Sequence, residues 1–375
     1  MLSNRDKQFE TAKKTLHLII FPTEKCNFRC TYCYEDFLIG KMKQAKQDAI
    51  KKLVTRRAEA GSLDRLMVSW FGGEPLVARK EVYYLSSYFQ EMYSNGLIKG
   101  LSGNTTTNGY FLTPEVLEKL CSFNQREFQI SLDGLAEGHD VTRRHASGRG
   151  TFDVIWRNLK AAKDTRLTFK IMLRLHLTKS NIESMRALVS EIAASFHDDP
   201  RFSVFFKPIE NLGGAGGGAV DPIDEAEAHR VVAPLIEQLR YSGIFAAHGI
   251  GLASESQTVT YSETEGSLSG SEGTSVATPY VCYASKPNSL VIRADGRVGK
   301  CTVMLDDDRN TVGEILDDGS LRLDPDKLTP WFRGFQSNDP AELGCPANGL
   351  PPIKEQVISL ASLKSGEATA LQASG

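Results

Sequence analysis

Three cysteines, Cys26, Cys30 and Cys33, stand in the run PTEKCNFRCTYCYEDF with spacing C-x3-C-x2-C, and Tyr32 directly precedes the third. Three thiolates on one short loop can bind three irons of a cubane [4Fe–4S] cluster, which normally takes four cysteine ligands. The fourth iron is then open to a substrate or cofactor. A zinc site is the competing chemistry, but zinc is generally held by paired C-x2-4-C motifs that complete four ligands. No fourth Cys or His stands within this run.

The elements that must position the loop follow a repeating pattern. Strand-like runs fall at His17–Pro22, Leu66–Phe71, Leu101–Thr107, Glu127–Leu132, Thr168–His176 and Phe202–Lys207. Helical periodicity fills the intervals, at Gln44–Ala60, Glu81–Asn95, Pro114–Phe123, Phe152–Lys163 and Ile182–Ser195, and Ile223–Tyr241 follows the last strand. Strand-then-helix units with short connections imply parallel strands and right-handed crossovers. The expected fold class is α/β, an open partial (β/α)6 TIM-type barrel with a small C-terminal α+β unit. Ligands of such folds collect at the C-terminal ends of the strands, and the cysteine loop directly follows strand one.

Other strand ends carry polar residues of interest. Strand two runs into Gly72-Gly73-Glu74-Pro75, where paired glycines let the backbone approach a ligand closely and Glu74 could hold an ammonium group. Strand three closes with TTTNGY around Asn108, and strand four with ISLDG, containing Ser131 and Asp133. HDVTR follows, ending in Arg143, and RLHLTKSN opens on Arg174 at the end of strand five. Taken singly these are ordinary turn or surface residues, since NG and DG favour tight turns.

In order and spacing the loop and strand ends resemble the radical S-adenosylmethionine (SAM) superfamily, in its SPASM/twitch branch of peptide maturases. The resemblance implies that Cys26, Cys30 and Cys33 hold a SAM-binding [4Fe–4S] cluster. It implies that the open iron chelates the methionine end of SAM, whose one-electron reduction releases a 5′-deoxyadenosyl radical. By the same resemblance Gly72, Gly73 and Glu74 hold the amino group of SAM, while Ser131 and Arg143 contact its ribose and carboxylate. Tyr32, Asn108 and Arg174 join the cofactor-binding set. Asp133 joins it too, or is a turn residue capping the following backbone.

A second constellation lies beyond a Ser/Thr/Gly/Glu-rich segment, Leu252–Pro279, that reads as a long loop, as does the glycine-rich Asn211–Pro222. Cys282 and Cys301 enclose Gly296 as C-x13-G-x4-C, and SLVIRADGRVGKCTVM reads as a hairpin turning at Asp295-Gly296, its second strand carrying Cys301. The unit resembles the opening of a SPASM domain, truncated here because only Cys345 follows. The resemblance implies one auxiliary [4Fe–4S] cluster on Cys282, Cys301 and Cys345 with a non-cysteine or open fourth position. Cys121, in a helical setting, belongs to the core. The division expected is 1–245 for the barrel, 246–280 for the linker and 281–375 for the auxiliary unit.

Composition excludes several classes. A formal charge of −2 gives no electrostatic reason for nucleic acid or an anionic membrane, and no apolar run approaches the roughly 20 residues that span a bilayer. The polar N-terminus lacks the apolar core of a signal peptide, and seven cysteines are too few for a disulfide scaffold, so a cytoplasmic location is expected. The implied function is modification of a ribosomally made precursor peptide by hydrogen abstraction, with a flavodoxin or ferredoxin as electron donor. No catalytic residue is singled out. Sixteen residues precede strand one, so a leader-binding domain there is not expected. One alternative is an anaerobic sulfatase-maturating enzyme, but the aspartate usual after the G-x4-C cysteine is here Thr302. A non-catalytic iron–sulfur or zinc protein that binds peptides is the reading from another class.

Overall fold

The computed structural model describes residues 14–213, 221–249 and 280–352, so most of the two expected loops, 214–220 and 250–279, lies outside the described residues. The strands are β1 (Thr15–Ile20), β2 (Phe28–Cys30), β3 (Arg65–Trp70), β4 (Gly100–Thr107), β5 (Gln125–Leu132), β6 (Arg143–His145), β7 (Lys170–Leu177), β8 (Phe202–Pro208), β9 (Phe245–His248), β10 (Ser289–Ile292), β11 (Arg297–Gly299), β12 (Gly313–Ile315) and β13 (Leu321–Leu323). Period-two alternation decides their faces. Leu16, Leu18 and Ile20 of β1, Leu66, Val68 and Trp70 of β3, and Leu173, Leu175 and Leu177 of β7 are buried beneath the helices. The opposite face carries polar side chains, among them His17, Ser69, Ser131, Arg174 and His176.

Six helices pack on the apolar face: Gln44–Glu59, Arg79–Ser94, Pro114–Ser122, Phe152–Lys163, Ile182–Phe196 and Glu225–Tyr241. Phe152–Lys163 shows the logic, burying Phe152, Ile155, Trp156, Leu159 and Ala162 on one stripe. Each apolar side chain so buried stabilises by roughly 1.5–3 kcal/mol. Helix starts are chemically specified: Thr113 accepts from the Val116 amide ahead of Pro114, and Asp224 accepts from the Glu227 amide.

The main sheet runs β13-β12-β11-β10-β1-β3-β4-β5-β7-β8-β9. From β10 across to β9 every neighbouring pair is parallel. The six expected strand–helix units are all present, and a further parallel strand flanks them on each side. β9 is too short to show alternation in sequence. β10 does form the expected hairpin with β11, turning at Asp295-Gly296 with Gly296 at φ 96°, but its other edge pairs with β1. The C-terminal segment therefore continues the barrel sheet. A separate two-stranded sheet joins β2 to β6.

Candidate metal and cofactor site

The cysteine loop is seated by the backbone of β1 and β3. Between them residues 23–25 pass so close to Gly72 and Gly73 that side chains could not be accommodated. A Cβ on Gly72, which has φ 104°, would lie 2.4 Å from the Thr23 carbonyl oxygen, and one on Gly73 2.6 Å from that of Glu24. The paired glycines thus admit the chain leading into Cys26. The Phe28 amide donates to Cys26 Sγ at 3.3 Å, and Asn108 Nδ2 donates to Asn27 Oδ1 at 2.8 Å beside the same sulfur. β2 sets Cys30 opposite Arg143 of β6, so the loop itself fixes where Arg143 stands.

Glu74, four residues past the end of β3, is fully buried. Its Oε1 accepts from the Leu76 amide (2.9 Å) and Thr107 Oγ1 (2.7 Å), and its Oε2 accepts from the Asn108 amide (2.7 Å). Burial pushes its carboxyl upward, and these three donors and Arg143 oppose that. A carboxylate offers about four acceptor positions, so one on Oε2 is left.

The ends of β5 and β7 complete a buried polar web. Tyr32 Oη donates toward Asp133 (2.8 Å to Oδ2) and accepts from Arg143 Nη1 at 2.7 Å, with His176 Nδ1 at 3.0 Å. Thr142 Oγ1 donates to Asp133 Oδ2 at 2.6 Å. Asp133 therefore does not cap the following backbone; it anchors Tyr32 and Thr142. Burial acts to raise its carboxyl, but the His176 hydrogen bond and the Arg143 charge hold it well below the usual range. Burial pushes His176 down to about 4 against the pull of Asp133, leaving a neutral ring. Among the described residues the Nε atoms of Arg143 and Arg174 are buried without a hydrogen-bond partner. Ser131 stands in register with Arg174 on the neighbouring strand. His176 and Asn181, whose Nδ2 donates to the Asp133 and His176 carbonyls, escaped the sequence reading. Alternation along β7 could have found His176, two residues beyond Arg174.

The C-terminal thiols come together from three elements. The Cys282 amide donates to the Leu343 carbonyl at 2.9 Å, tying it to the short helix Pro340–Gly344 that Cys345 follows. Cys301 lies two residues past the end of β11, not within it as expected. The loop leaves the ladder because Asn310 takes over its hydrogen bonds. Asn310 Oδ1 accepts from the Lys300 and Cys301 amides (2.9 and 2.8 Å), and Nδ2 donates to the Cys301 and Met304 carbonyls (2.8 and 2.9 Å). The Val303 amide donates to Cys301 Sγ at 3.4 Å. Burial pushes the thiols of Cys26, Cys30, Cys33, Cys282 and Cys301 upward, Cys33 and Cys282 to about 11, and neighbouring thiols add to the effect. Cys121 sits apart in its helix, 6% exposed and in the core.

A buried ion pair joins the two regions. Arg293, just past β10, donates from Nε and Nη2 to Glu24 (2.8 and 2.6 Å) and from Nη1 to the Leu305 carbonyl (2.7 Å). Beside it a cavity of about 650 Å³ is lined by Tyr34, Val303, Met304, Leu305 and Asp306, among others.

Residues 20–189 match the radical SAM superfamily model. The chain carries a radical SAM domain. Over this part it is 28% identical across 182 residues to an Fe-coproporphyrin III synthase of Methanosarcina barkeri, covering 48% of this chain and 41% of that one. It is 24% identical across 206 residues to a serine-type anaerobic sulfatase-maturating enzyme of Bacteroides thetaiotaomicron (52% and 44%). To a PqqA peptide cyclase of Bradyrhizobium diazoefficiens it is 30% identical across 139 residues (37% and 34%). The chain thus spans less than half the length of these relatives. Its fold is shared with anSMEcpe bound to AdoMet and the Cp18Cys peptide, at TM-score 0.59 and 18% identity over 85% of this chain and 83% of that one. It is shared also with Streptococcus suis SuiB bound to its precursor peptide SuiA, at TM-score 0.58 and 17% identity over 88% and 69%. Radical SAM domains use a [4Fe–4S] cluster and SAM. The donor set fits them: three thiols on one loop, an amide aimed at a sulfur, and two buried arginine N–H groups awaiting an acceptor. Among the described residues no three His, Cys, Asp or Glu converge as the ligands of a single ion would.

Proposed function

We propose that the protein is a radical SAM enzyme that modifies a ribosomally made peptide or protein. The observation that carries the reading is the alignment, at one end of the parallel sheet, of the Cys26/Cys30/Cys33 loop, the Glu74 carboxylate and the unpartnered arginine N–H groups. When bound, the cluster and SAM together supply a 5′-deoxyadenosyl radical able to abstract a substrate hydrogen. Cys26, Cys30 and Cys33 are the ligands in this reading. Glu74 offers its open acceptor position to the SAM ammonium, with Gly72 and Gly73 setting its distance from the loop and Asn108 bracing it. Arg143 and Arg174 offer N–H donors to the carboxylate or ribose, near Ser131. Tyr32 and Asp133 hold Arg143 in place.

A peptide substrate is supported by the relatives that act on peptides or proteins and by the cavity opening beside Tyr34, directly after Cys33. Cys282, Cys301 and Cys345 would hold an auxiliary cluster, with Cys301 two residues before Val303 of the cavity wall. The described helices are not long and apolar enough to cross a membrane, and a cytoplasmic flavodoxin or ferredoxin is the reductant we expect. Sulfatase maturation is the second reading, favoured by the Bacteroides relative. Against it, Thr302 stands where those enzymes usually carry an aspartate, and its hydroxyl is engaged with Tyr283 Oη at 2.8 Å.

The test is anaerobic incubation of reconstituted protein with SAM and a strong reductant. Formation of 5′-deoxyadenosine is expected, and its absence would leave only a binding protein. Co-expression with candidate precursor peptides and mass spectrometry then reads the bond made, with a loss of about 2 Da marking a crosslink or oxidation.

A further inference from the structure

Lys300 precedes Cys301 and is fully buried, a rare setting for lysine unless it is paired. Among the described residues no carboxylate lies within ion-pairing distance of it. Nζ donates to the carbonyls of Lys286 (2.7 Å) and Ser289 (2.5 Å) and sits 4.9 Å from the centre of the Phe332 ring. These contacts satisfy its N–H groups and give it a cation–π face, yet they bring no countercharge. A buried charge without one is costly. Both carbonyls lie on the segment that runs from Cys282 to β10, so the ammonium ties that segment to the one bearing Cys301.

The neighbouring thiols have the converse problem. As ligands they must be thiolates, and burial disfavours that charge at Cys282 and Cys301. The two deficits cancel only if they are read together. We propose that Lys300 is the built-in countercharge of the Cys282/Cys301/Cys345 triad, a positioning residue that offsets the thiolates of an iron–sulfur cluster and raises its reduction potential. Burial acts to lower Lys300 to about 7, and the charge of Cys282 opposes this; held as a cation by the thiolates, it favours the more negative, reduced form over the oxidised one. The inference rests on the reading that this triad holds a cluster.

The test uses the full chain with Cys26, Cys30 and Cys33 changed to alanine, so that the remaining cluster is the C-terminal one. Lys300, Lys300→Arg and Lys300→Met forms are reconstituted anaerobically, assayed for iron and titrated electrochemically with EPR detection. About 4 irons are expected in the lysine form. Lys300→Met should shift the midpoint to more negative potential and lose iron several-fold faster to a chelator, while Lys300→Arg stays near the parent. No iron in the lysine form would overturn the cluster reading and the inference with it. About 4 irons, with one midpoint shared by the Lys and Met forms, would overturn the inference alone. Because a buried substitution can act through folding, thermal unfolding is compared with and without the C-terminal cysteines. Lys300→Met should destabilise the loaded triad more than the cysteine-free protein; an equal cost in both marks a purely structural lysine and overturns the proposal.

Discussion

The two cysteine triads are built in opposite ways. Cys26, Cys30 and Cys33 share one loop, but what surrounds them is gathered from across the sheet: Glu74 after β3, Asn108 after β4, Asp133 after β5 and His176 at the end of β7. Cys282, Cys301 and Cys345 come from distant points, yet their supports are near in sequence, with Lys300, Thr302 and Asn310 around Cys301. A parallel sheet delivers side chains from many strands to one rim, so a short loop placed there acquires a complex environment. The C-terminal region lacks such a rim and assembles its thiols through backbone hydrogen bonds to Leu343 and Asn310. The lesson is that a local motif can have a non-local site, and a dispersed motif a local one.

The largest expected effect separates the triads functionally. Alanine at Cys26, Cys30 and Cys33 should reduce 5′-deoxyadenosine formation to background while about 4 irons remain on the C-terminal triad. Alanine at Cys282, Cys301 and Cys345 should also leave about 4 irons, but uncoupled SAM cleavage should survive and peptide modification should not. Iron analysis and chromatography of the products read both outcomes. Equal loss of SAM cleavage in the two variants would erase the distinction.

Next comes the joint between the regions. Arg293→Met leaves Glu24, 1% exposed, as a buried carboxylate without its partner, beside Glu35, whose own carboxyl burial and Glu24 already push up to about 8. Breaking a buried pair from one side costs about 3–5 kcal/mol. Denaturant unfolding should show that loss, and Glu24→Met in the same chain should recover much of it. A variant as stable as the parent would mean that β1–β10 pairing and contacts such as Lys46–Asp317 hold the two regions together without this ion pair.

Glu74→Gln probes the N-terminal environment more finely. The amide would turn an NH2 group toward one of the donors that Glu74 now accepts, costing about 1–3 kcal/mol of stability. SAM affinity should fall on the order of tenfold or more through the lost charge-assisted bond. Calorimetric titration with SAM checks this, and unchanged affinity would make Glu74 a structural brace of β3 and β4.

How far the sequence revealed this follows from the same contrast. Strand–helix alternation disclosed the barrel units within a few residues, because Leu16, Leu18 and Ile20 or Phe152, Ile155 and Leu159 declare their faces by spacing. The N-terminal thiols and Glu74 were legible as motifs. The pairing of β10 with β1 was not, since nothing in SLVI names a partner 272 residues away. The β2–β6 pairing was hidden because three-residue strands have no period to read. Nothing in the sequence analysis set Lys300 apart; only the fold shows it enclosed by Lys286, Ser289 and Phe332. Its adjacency to Cys301 was the one available hint.

The smallest effect is one of pH, and it divides the regions once more. His139 and His176 belong to the web beneath the N-terminal loop, and His17 lies at the seam of β1, β3 and β10, with Nε2 2.7 Å from Ser69 Oγ. Burial, above all, lowers all three from 6.5 to about 4. The unfolded chain therefore takes up protons first as pH falls, so stability is complete above about pH 6.5 and is lost progressively toward pH 4. Each ring contributes a loss on the order of 1 kcal/mol at pH 5.5. His17→Gln can keep a hydrogen bond to Ser69 while removing one titrating group. Its stability should match the parent within about 1 kcal/mol at pH 7 and fall less steeply by that increment at pH 5.5, as denaturant midpoints at the two pH values would show. Parallel pH profiles would exclude His17 from the acid response and leave the seam insensitive to pH.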